Sequence, residues 1–436
     1  MQKQSKPVSG IFLFVIVIYQ CLWHIVLPVA LARLWYKGIK ERGYRQHILE
    51  RLGFYGQPTF TEAIWIHAVS VGETRAAAPL INRLAASQQR ILLTHTTPTG
   101  RQTGAELFKH QIEQGLVMQS YIPYDFCWPV SRFIKKFKPR MALMMETEVW
   151  PSLLFFARNH FPVYLINGRL SLKSSLNFAK FGALSKTLFS LFEKILAQTQ
   201  SDAEHYELFG IKEPCITGNL KFDVQPDLAQ SKLGSLWKAR FNHRQVIVAA
   251  STREGEESII ISAWQKLSQD RKPLLVIVPR HLTRVEQIET LLLEQKIAYT
   301  KRSQLELPAD IVQDVFIGDS MGEMIVYLSF ADYVIMGGTL MGTGGQNLIE
   351  PIALGKPVIL GPSIYNFLEV SQSAIGAGIA MQIRDQDERL LEKDLLRWMQ
   401  EFQDHPEVIA NMSILCQDYA AKHQGATDKT LQYLGL

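Results

Sequence analysis

The chain has 436 residues, of which 47% are hydrophobic and 20% charged, so it can bury two ordinary hydrophobic cores rather than one. Its net charge of +5 is modest, and we expect no nucleic-acid partner. Four cysteines without any C-x-x-C spacing argue against a disulfide framework and a zinc site: Cys21, Cys127, Cys215 and Cys416. The composition therefore predicts a two-domain protein with cytosolic chemistry.

The N-terminal segment is a candidate membrane anchor. Residues 11–34 are almost wholly apolar and long enough to span a hydrocarbon core of about 30 Å. A cleaved signal peptide fits less well, because the stretch exceeds the usual length of about 7–15 residues and lacks a small-residue cleavage site. Gln20, His24 and Pro28 weaken the spanning prediction, so a helix lying in the membrane interface stays open.

Basic residues follow this segment. Between positions 33 and 51 there are six basic residues against two acidic ones, whereas only Lys3 and Lys6 precede it. The positive-inside rule then predicts a single anchor in the inner (plasma) membrane with the rest of the chain in the cytoplasm. The basic cluster would face an anionic inner-membrane surface. All later motifs lie beyond Tyr36, so removing residues 1–34 is predicted to leave the chemistry largely intact.

The next segment alternates short apolar runs with amphipathic ones, which indicates a parallel sheet covered by helices. Each predicted strand ends in a polar or glycine-bearing loop, and ligands of open α/β sheets gather at those carboxyl ends. The predicted strands are 63–66, 91–93, 141–145 and 163–166, and the predicted helices are 74–86, 101–109 and one starting at Pro151.

A polar stretch without periodicity, residues 218–235, is the best candidate for an interdomain linker. A second alternating series follows, with strands predicted at 246–249, 274–278, 315–317, 333–336 and 358–360. The whole pattern predicts an α/β protein of the GT-B class, with two Rossmann-like domains facing across a cleft. The expected divisions are 1–35 (membrane anchor and basic flank), 36–232 (first domain) and 233–436 (second domain).

A glycine-rich loop, residues 337–362, leads from one of these strands into a helix start at 347–351. Backbone N–H groups at a helix N-terminus favour an anion, and Glu350 offers a carboxylate to nearby hydroxyl groups. A ligand that combines a phosphate group with a neighbouring diol would satisfy both features, and a nucleotide sugar is such a ligand. The dinucleotide fingerprint G-x-G-x-x-G fails here, because its sixth position is Asn347.

Nine segments carry a family resemblance that runs in order through nearly the whole chain. They read WIHAVSVGE (65–73), THTTPTG (94–100), PYD (123–125), METEVWP (145–151), GNLKFD (218–223), ASTREGEE (250–257), VPRH (278–281), GDSMGEM (318–324) and GGQNLIEP (344–351). Together with the N-terminal anchor, they resemble the 3-deoxy-D-manno-octulosonic acid (Kdo) transferase of lipopolysaccharide synthesis.

The resemblance implies a glycosyltransferase that moves Kdo from CMP-Kdo to the lipid A precursor (lipid IVA) of the inner core, with inversion and without metal. The first domain would bind the acceptor and the second the donor. Glu73 would be the general base, while Glu146 and Lys221 would stabilise the transition state. The implied CMP-binding residues are Pro279, Arg280, Met321, Gly322, Glu323, Asn347, Leu348, Ile349 and Glu350. The chain departs from the family pattern at Gln346, where the family has a histidine, and any role that needs an imidazole there is in doubt.

Each of these residues also has a simpler structural interpretation. Glu73 at a helix start would be a carboxylate on the positive helix end, worth about 0.3–1 kcal/mol, with a lowered pKa. Glu146 and Glu148 fall on the same side of the chain, and Glu148 fits a helix N-terminal charge better. Lys221 would be a solvated linker residue. Arg280 is a stronger candidate, because a guanidinium after a buried strand can grip phosphate.

No metal or other cofactor is expected. Three histidines, His67, His95 and His281, follow predicted strands but share no ligand spacing. Two rival interpretations stay open: a GT-B transferase or epimerase that uses another nucleotide sugar, and a catalytically dead membrane adaptor of the same fold. The same motifs fit the transfer of one, two or more Kdo residues.

Overall fold

The computed structural model describes residues 8–241, 243–270, 272–305 and 311–436. The chain forms two compact units: unit 1 takes in the chain up to Val224 together with residues 424–436, and unit 2 runs from Gln225 to His423. Lys3 and Lys6 lie outside the described residues. As predicted, each unit is a parallel sheet covered by helices.

Unit 1 holds a seven-stranded sheet in the order β3-β2-β1-β4-β5-β6-β7. Its strands are β1 Ile64–His67, β2 Ile91–His95, β3 Val117–Tyr121, β4 Met141–Met145, β5 Val163–Gly168, β6 Ile195–Ala197 and β7 Cys215–Ile216. Its helices before residue 224 are α1 Gly10–Lys40, α2 Ile48–Arg51, α3 Val71–Ala76, α4 Ala78–Ala86, α5 Pro98–Leu107, α6 Lys109–Glu113, α7 Cys127–Phe137, α8 Pro151–Ala157, α9 Leu172–Ala179, α10 Ala183–Ser190 and α11 Gln200–Glu207. Short 3₁₀ turns occupy Arg42–Arg45 and Leu220–Asp223.

The central strands of unit 1 are apolar on both faces because helices cover both. Along β1, Trp65 packs into one core while Ile64 and Ile66 pack into the other, and all three are fully buried. β1 pairs in parallel register with β2 on one side and β4 on the other, from Ile64 opposite Ile91 and Met141. The strand order therefore reverses between β1 and β4, which opens a crevice at their carboxyl ends.

Unit 2 repeats this topology in the order β10-β11-β9-β8-β12-β13-β14. Its strands are β8 Val246–Thr252, β9 Leu274–Pro279, β10 Tyr299–Lys301, β11 Val315–Ile317, β12 Tyr333–Met336, β13 Val358–Leu360 and β14 Ala380–Gln382. Its helices are α12 Leu228–Lys238, α13 Glu256–Gln265, α14 Val285–Glu294, α15 Met324–Phe330, α16 Ile349–Ala353, α17 Leu368–Gly376, α18 Glu388–Asp404 and α19 Pro406–His423. Its switch point lies between β8 and β12.

The units divide the chain differently from the expected boundaries. The predicted linker is largely ordered, because residues 228–238 form α12, whose Trp237 stacks on Phe330 of unit 2. Gly234 lets α12 approach α15 closely, since a Cβ there would come within 2.5 Å of the Val326 carbonyl oxygen. The division consequently falls at residue 224 rather than 232.

The last helix, α20 Ala426–Leu434, packs in unit 1 rather than unit 2. Leu431 and Leu434 join the core beside the β1 sheet, and the Asp223 carboxylate accepts a 2.7 Å hydrogen bond from Gly425 N. Burial of these side chains requires the chain to return to its first unit, which no alternation pattern could indicate.

The N-terminal helix α1 also belongs to unit 1 and is not a separate region as expected for residues 1–35. Within the described residues, one helix, Gly10–Ile39, is long and apolar enough to cross a membrane. Phe12 and Ile16 nevertheless lie buried in the core that contains Trp65. Removing residues 1–34 would therefore uncover part of the unit 1 core, while the chemistry is still predicted to survive the truncation.

Candidate active site

The carboxyl ends of β1 and β4 carry the three predicted catalytic residues. Glu73 lies in the first turn of α3, directly after β1, and Glu146 follows β4. Lys221 reaches the same place from the 3₁₀ turn Leu220–Asp223. Parallel strands deliver their loops to one edge of the sheet, so residues far apart in the chain meet at the switch point.

Glu73 is held by the N-terminal turn of α3. Ser70 is the N-cap, and its Oγ accepts from Glu73 N at 3.4 Å. In return, the Glu73 carboxylate accepts from Val69 N at 2.9 Å and from Ser70 Oγ at 3.2 Å. This reciprocal arrangement resembles a capping box and fixes the carboxylate at the helix start.

The pKa of Glu73 is raised, not lowered as the sequence suggested. Burial is the largest cause, the neighbouring Glu146 carboxylate adds to it, and together they raise the pKa of Glu73 to about 8. The hydrogen bonds from Val69 and Ser70 oppose this shift but do not cancel it. A carboxyl group with this pKa holds a proton firmly yet releases it within the neutral range, which suits proton transfer.

Glu146 and Lys221 form an ion pair. Lys221 Nζ lies 2.8 Å from Glu146 Oε1, and the two side chains are 20% and 19% exposed. Glu146 adopts a left-handed backbone conformation with φ of 53°, which turns its side chain out of the line of β4. Asn219 caps the turn that carries Lys221 by accepting from Lys221 N at 3.0 Å. Lys221 is thus a folded part of unit 1 and not a solvated linker residue.

A third carboxylate at this edge, Glu148, has partners that the sequence did not reveal. Glu148 Oε2 accepts from Trp150 Nε1 at 2.6 Å and lies 3.9 Å from His67 Nε2. Burial raises the pKa of Glu148, and burial lowers the pKa of His67 to about 3, so His67 is neutral. The alternation of Glu146 and Glu148 was visible in the sequence, but the approach of His67 to Glu148 depends on the pairing of β1 with β4.

In unit 2, the first backbone amides of the glycine-rich loop are bound by a carboxylate of the protein itself. The carboxylate of Glu256, fully buried in α13, accepts from Gly338 N at 2.8 Å and Leu340 N at 2.9 Å. It also accepts from Arg253 N at 2.8 Å. A buried carboxylate requires several donors, so the protein's own glutamate occupies the first backbone amides of the loop.

The later part of the loop contains the predicted Asn347–Glu350 group. Asn347 Nδ2 donates to Glu350 Oε1 at 3.2 Å, and Asn347 Oδ1 accepts from Ile349 N at 3.2 Å. Leu348 and Ile349 are buried, so their side chains are packing residues. Because α16 has only five residues, a large helix dipole is not expected here.

The remaining predicted donor residues occupy neighbouring strand ends of unit 2. Pro279 ends β9 and Arg280 follows it, with an exposed side chain and a backbone N that donates to Thr252 O at 3.0 Å. Met321 and Gly322 are exposed, whereas Glu323 pairs with Arg302 Nη2 at 2.8 Å. Glu323 is therefore a structural partner of Arg302 in this arrangement.

Two further arginines lie near Arg280 and were not singled out from the sequence. Burial, together with the charges of Arg253, Arg280 and Arg284, lowers the pKa of His281. Arg284 Nη2 pairs with Glu257 Oε2 at 2.9 Å. The loops after β8 and β9 therefore bring three arginines close to His281, and the segment after β8 also carries the carboxylates of Glu254, Glu256 and Glu257. Among the described residues, no group of three His, Cys, Asp or Glu side chains is placed to hold a metal ion.

Sequence comparisons relate the chain to one family of enzymes. The family described as 3-Deoxy-D-manno-octulosonic-acid transferase (kdotransferase) matches residues 46–224. The 3-deoxy-D-manno-octulosonic acid transferase of Bordetella pertussis is 38% identical over 88% of this chain and 89% of its own length, and that of Haemophilus influenzae is 36% identical over 81% and 83%.

Among solved structures, the UDP-GlcNAc 2-epimerase of Neisseria meningitidis superposes with a TM-score of 0.57, at 15% identity over 85% of this chain and 99% of that one. This likeness shows the two-unit GT-B type of fold alone, whereas the sequence identities show the family. The chain belongs to the 3-deoxy-D-manno-octulosonic acid transferase family of glycosyltransferases.

Proposed function

We propose that this protein transfers Kdo from CMP-Kdo to a lipid A precursor, lipid IVA, with inversion at the anomeric carbon. Unit 1 would bind the acceptor and unit 2 the donor. The observation that carries the proposal is the Glu73 carboxyl group, whose pKa is raised to about 8 beside the Glu146–Lys221 ion pair. The family relationship supplies the sugar and the class of reaction.

Glu73 acts as the general base. The acceptor hydroxyl passes its proton to the Glu73 carboxylate while its oxygen attacks the anomeric carbon of Kdo, and the bond from that carbon to the CMP phosphate oxygen breaks. CMP leaves with the bonding electrons. With a pKa of about 8, roughly a tenth of the groups are ionised at pH 7, and each ionised group is a far stronger base than an ordinary glutamate.

Glu146 stabilises the positive charge that develops on the sugar ring. It does so without taking a proton, because its function requires a fixed negative charge near the anomeric carbon. Lys221, at 2.8 Å, holds the Glu146 carboxylate in place through the ion pair. The same Glu146 charge raises the pKa of Glu73, so the two carboxylates serve different tasks in one site.

The donor is held by unit 2 through charge and hydroxyl contacts. Arg280 presents an exposed guanidinium at a strand end already rich in arginine, which suits the single phosphate of CMP-Kdo. Glu350, oriented by Asn347, offers a carboxylate to the ribose hydroxyls. Met321 and Gly322 line the exposed loop after β11, while Pro279 and the buried Leu348 and Ile349 set backbone positions.

The protein acts at the cytoplasmic face of the inner membrane. The apolar helix α1 and the exposed basic residues at its end, including Arg33 and Lys37, support this placement. A lipid acceptor is itself confined to a membrane, so attachment brings the enzyme and its acceptor to one surface.

The decisive experiment is incubation of the full chain with CMP-Kdo and a tetra-acylated, bis-phosphorylated disaccharide lipid, followed by mass spectrometry. We expect the acceptor mass to rise by one or more Kdo residues, and transfer by Glu73→Gln to be much slower than by the wild type. Binding of UDP but not CMP would favour an enzyme of another nucleotide sugar. Binding of CMP-Kdo without any transfer by the wild-type chain would favour an inactive adaptor.

A further inference from the structure

One face of α1 is docked on unit 1. Phe12 and Ile16 are only 4% and 5% exposed, and the Phe12 ring lies 6.2 Å from that of Phe155. Trp23 stacks on Phe126 with ring centroids 5.5 Å apart. These residues share one side of the helix, because their spacings follow its turns.

The polar residues of the same face make specific hydrogen bonds. Gln20 Nε2 donates to Ser152 Oγ at 2.6 Å, and Gln20 Oε1 accepts from Cys127 N at 2.6 Å. Cys127 is the first residue of α7, whose N-cap residue makes no side-chain hydrogen bond, so Gln20 caps that helix from α1.

Tyr19 completes a buried polar cluster. Its hydroxyl donates to Asp125 Oδ2 at 3.0 Å, and the buried Asp125 carboxylate also accepts from Ser152 N and Leu153 N at the start of α8. Asp125 is nearly inaccessible to water, so loss of the Tyr19 donor would leave a buried carboxylate with fewer partners.

The opposite face of α1 is apolar and uncovered. Five large side chains on it are 58–71% exposed: Ile11, Phe14, Val17, Ile25 and Val29. Helix α10 packs against α1, and the neighbouring segment from α9 to α10 adds three more apolar side chains that are 57–64% exposed: Leu172, Leu176 and Phe181. A surface of this kind marks an interaction site.

We propose that α1 does not cross the membrane but lies in its plane, docked on unit 1, with its outward face inserted in the cytoplasmic leaflet of an anionic bilayer. This inference rests on the proposed membrane attachment. A spanning α1 would carry Tyr19 and Gln20 into hydrocarbon, where they would lose their partners, and would expose Asp125 and Phe126.

Basic residues beside the outward face of α1 favour an anionic lipid surface as the partner that covers this face. Arg33, Lys37 and Arg42 are exposed at the end of α1 and in the following turn, and Lys173 and Lys180 flank the exposed leucines of α9. Cations beside inserted apolar side chains are the pattern of helices that bind anionic membrane surfaces in plane. The N-terminus of the chain then lies on the same side as the two catalytic units.

The first test is the accessibility of an N-terminal epitope tag to protease in inside-out inner-membrane vesicles, with a C-terminal tag as the control. We expect both tags to be cleaved. Protection of the N-terminal tag alone, in protein that sediments with the vesicles, would overturn the in-plane orientation and leave membrane attachment standing. Protein that does not sediment would overturn the attachment itself.

The second test uses a substitution that should favour a spanning α1 but destabilise a docked α1. Gln20→Leu makes α1 more apolar, so it would favour a spanning helix, yet it removes two hydrogen bonds from the docked one. We expect a lower Tm of the full chain in mild detergent than for Cys21→Leu, which adds the same side chain at the next, exposed position. Equal Tm values would contradict docking.

The third test identifies the occupant of the outward face. Val17→Glu with Ile25→Glu should abolish sedimentation with phosphatidylglycerol vesicles while leaving the Tm in detergent near that of the wild type. A second copy of the chain is the competing occupant. A dimer in detergent that the double variant dissociates would assign the face to self-association and overturn the proposal.

Discussion

The two units have similar strand orders, yet the loops at their strand ends carry different side chains. The edge at β1 and β4 collects three carboxylates, Glu73, Glu146 and Glu148, with raised pKa values for the first and last. The edge at β8 and β9 collects arginines, and the nearby loop amides are already bound by Glu256. The fold therefore fixes where a site forms, and the loop residues decide whether it moves protons or holds anions.

The largest expected effect comes from removing the base of unit 1. Glu73→Gln should lower kcat by about 10²–10⁴ while CMP affinity stays near wild type, because general-base removal affects the chemical step alone. Glu113→Gln, the same change at an exposed position of α6, is the control. If the Glu73→Gln variant keeps more than about a tenth of wild-type kcat, the base lies elsewhere.

Unit 2 is expected to depend on its own buried carboxylate for structure. Glu256→Gln replaces an acceptor of three backbone N–H groups by an amide that can accept fewer, so we expect the free energy of unfolding to fall by about 1–3 kcal/mol. Urea unfolding measures this, with Glu254→Gln as the control because Glu254 is 92% exposed. An unchanged midpoint would mean that Glu256 does not hold the loop.

Arg280→Ala tests the anion-binding half of the comparison. A phosphate contact made in both ground and transition states is uniform binding, so KM for CMP-Kdo should rise by roughly tenfold or more with little change in kcat. Arg389→Ala, exposed on α18, serves as the control. A fall in kcat at constant KM would instead assign Arg280 to the leaving group.

The pH dependence should separate the two carboxylates of unit 1. The wild-type rate should rise with pH towards about 8 as Glu73 ionises, and Glu73→Gln should lose this acidic limb. Because the Glu146 charge raises the pKa of Glu73, Glu146→Gln should lower the rate and move the limb to lower pH. A limb at the same pH in Glu146→Gln would show that the two groups are not coupled.

The same pKa shift has a consequence for stability. A carboxyl group with a raised pKa binds its proton more tightly in the folded state, so wild-type stability should fall as pH rises from about 4.5 towards 8. Glu73→Gln removes this group, and its Tm should exceed that of the wild type increasingly across that interval. Parallel Tm curves for the two proteins would refute the shift.

The smallest effect is expected at Gln346. If the family histidine acts through a hydrogen bond, the glutamine amide can replace it, and Gln346→His should change activity by less than about tenfold, or 1.4 kcal/mol. A large gain in kcat/KM would mean that this chain carries a weakened donor site.

Most central strands of the two sheets could be predicted from the sequence, because central strands of parallel sheets are short apolar runs. Strands β4, β11, β12 and β13 have the predicted bounds. Five strands were missed: the inner strand β6 and the four edge strands β3, β7, β10 and β14. Edge strands are half solvated and mix polar with apolar residues, as in the VMQSY of β3, so they lack the apolar signal.

The site was only partly predictable, for a different reason. Glu73 and Glu146 stand at predicted strand ends, but the raised pKa of Glu73 depends on burial and on a neighbour from a distant part of the chain. Glu256 lies in the segment ASTREGEE, where nothing local indicates that its carboxylate binds backbone amides of the loop after β12. Tertiary contacts of this kind carry no sequence period.

The return of α20 to unit 1 has a consequence for synthesis of the chain. A ribosome delivers residues 1–224 before unit 2 and residues 424–436 after it, so the first unit to emerge is completed after the second. Until residues 424–436 emerge, Asp223 lacks the Gly425 donor and the core beside β1 lacks Leu431 and Leu434. All residues of unit 2 emerge before residues 424–436, so unit 2 can fold before unit 1 receives helix α20.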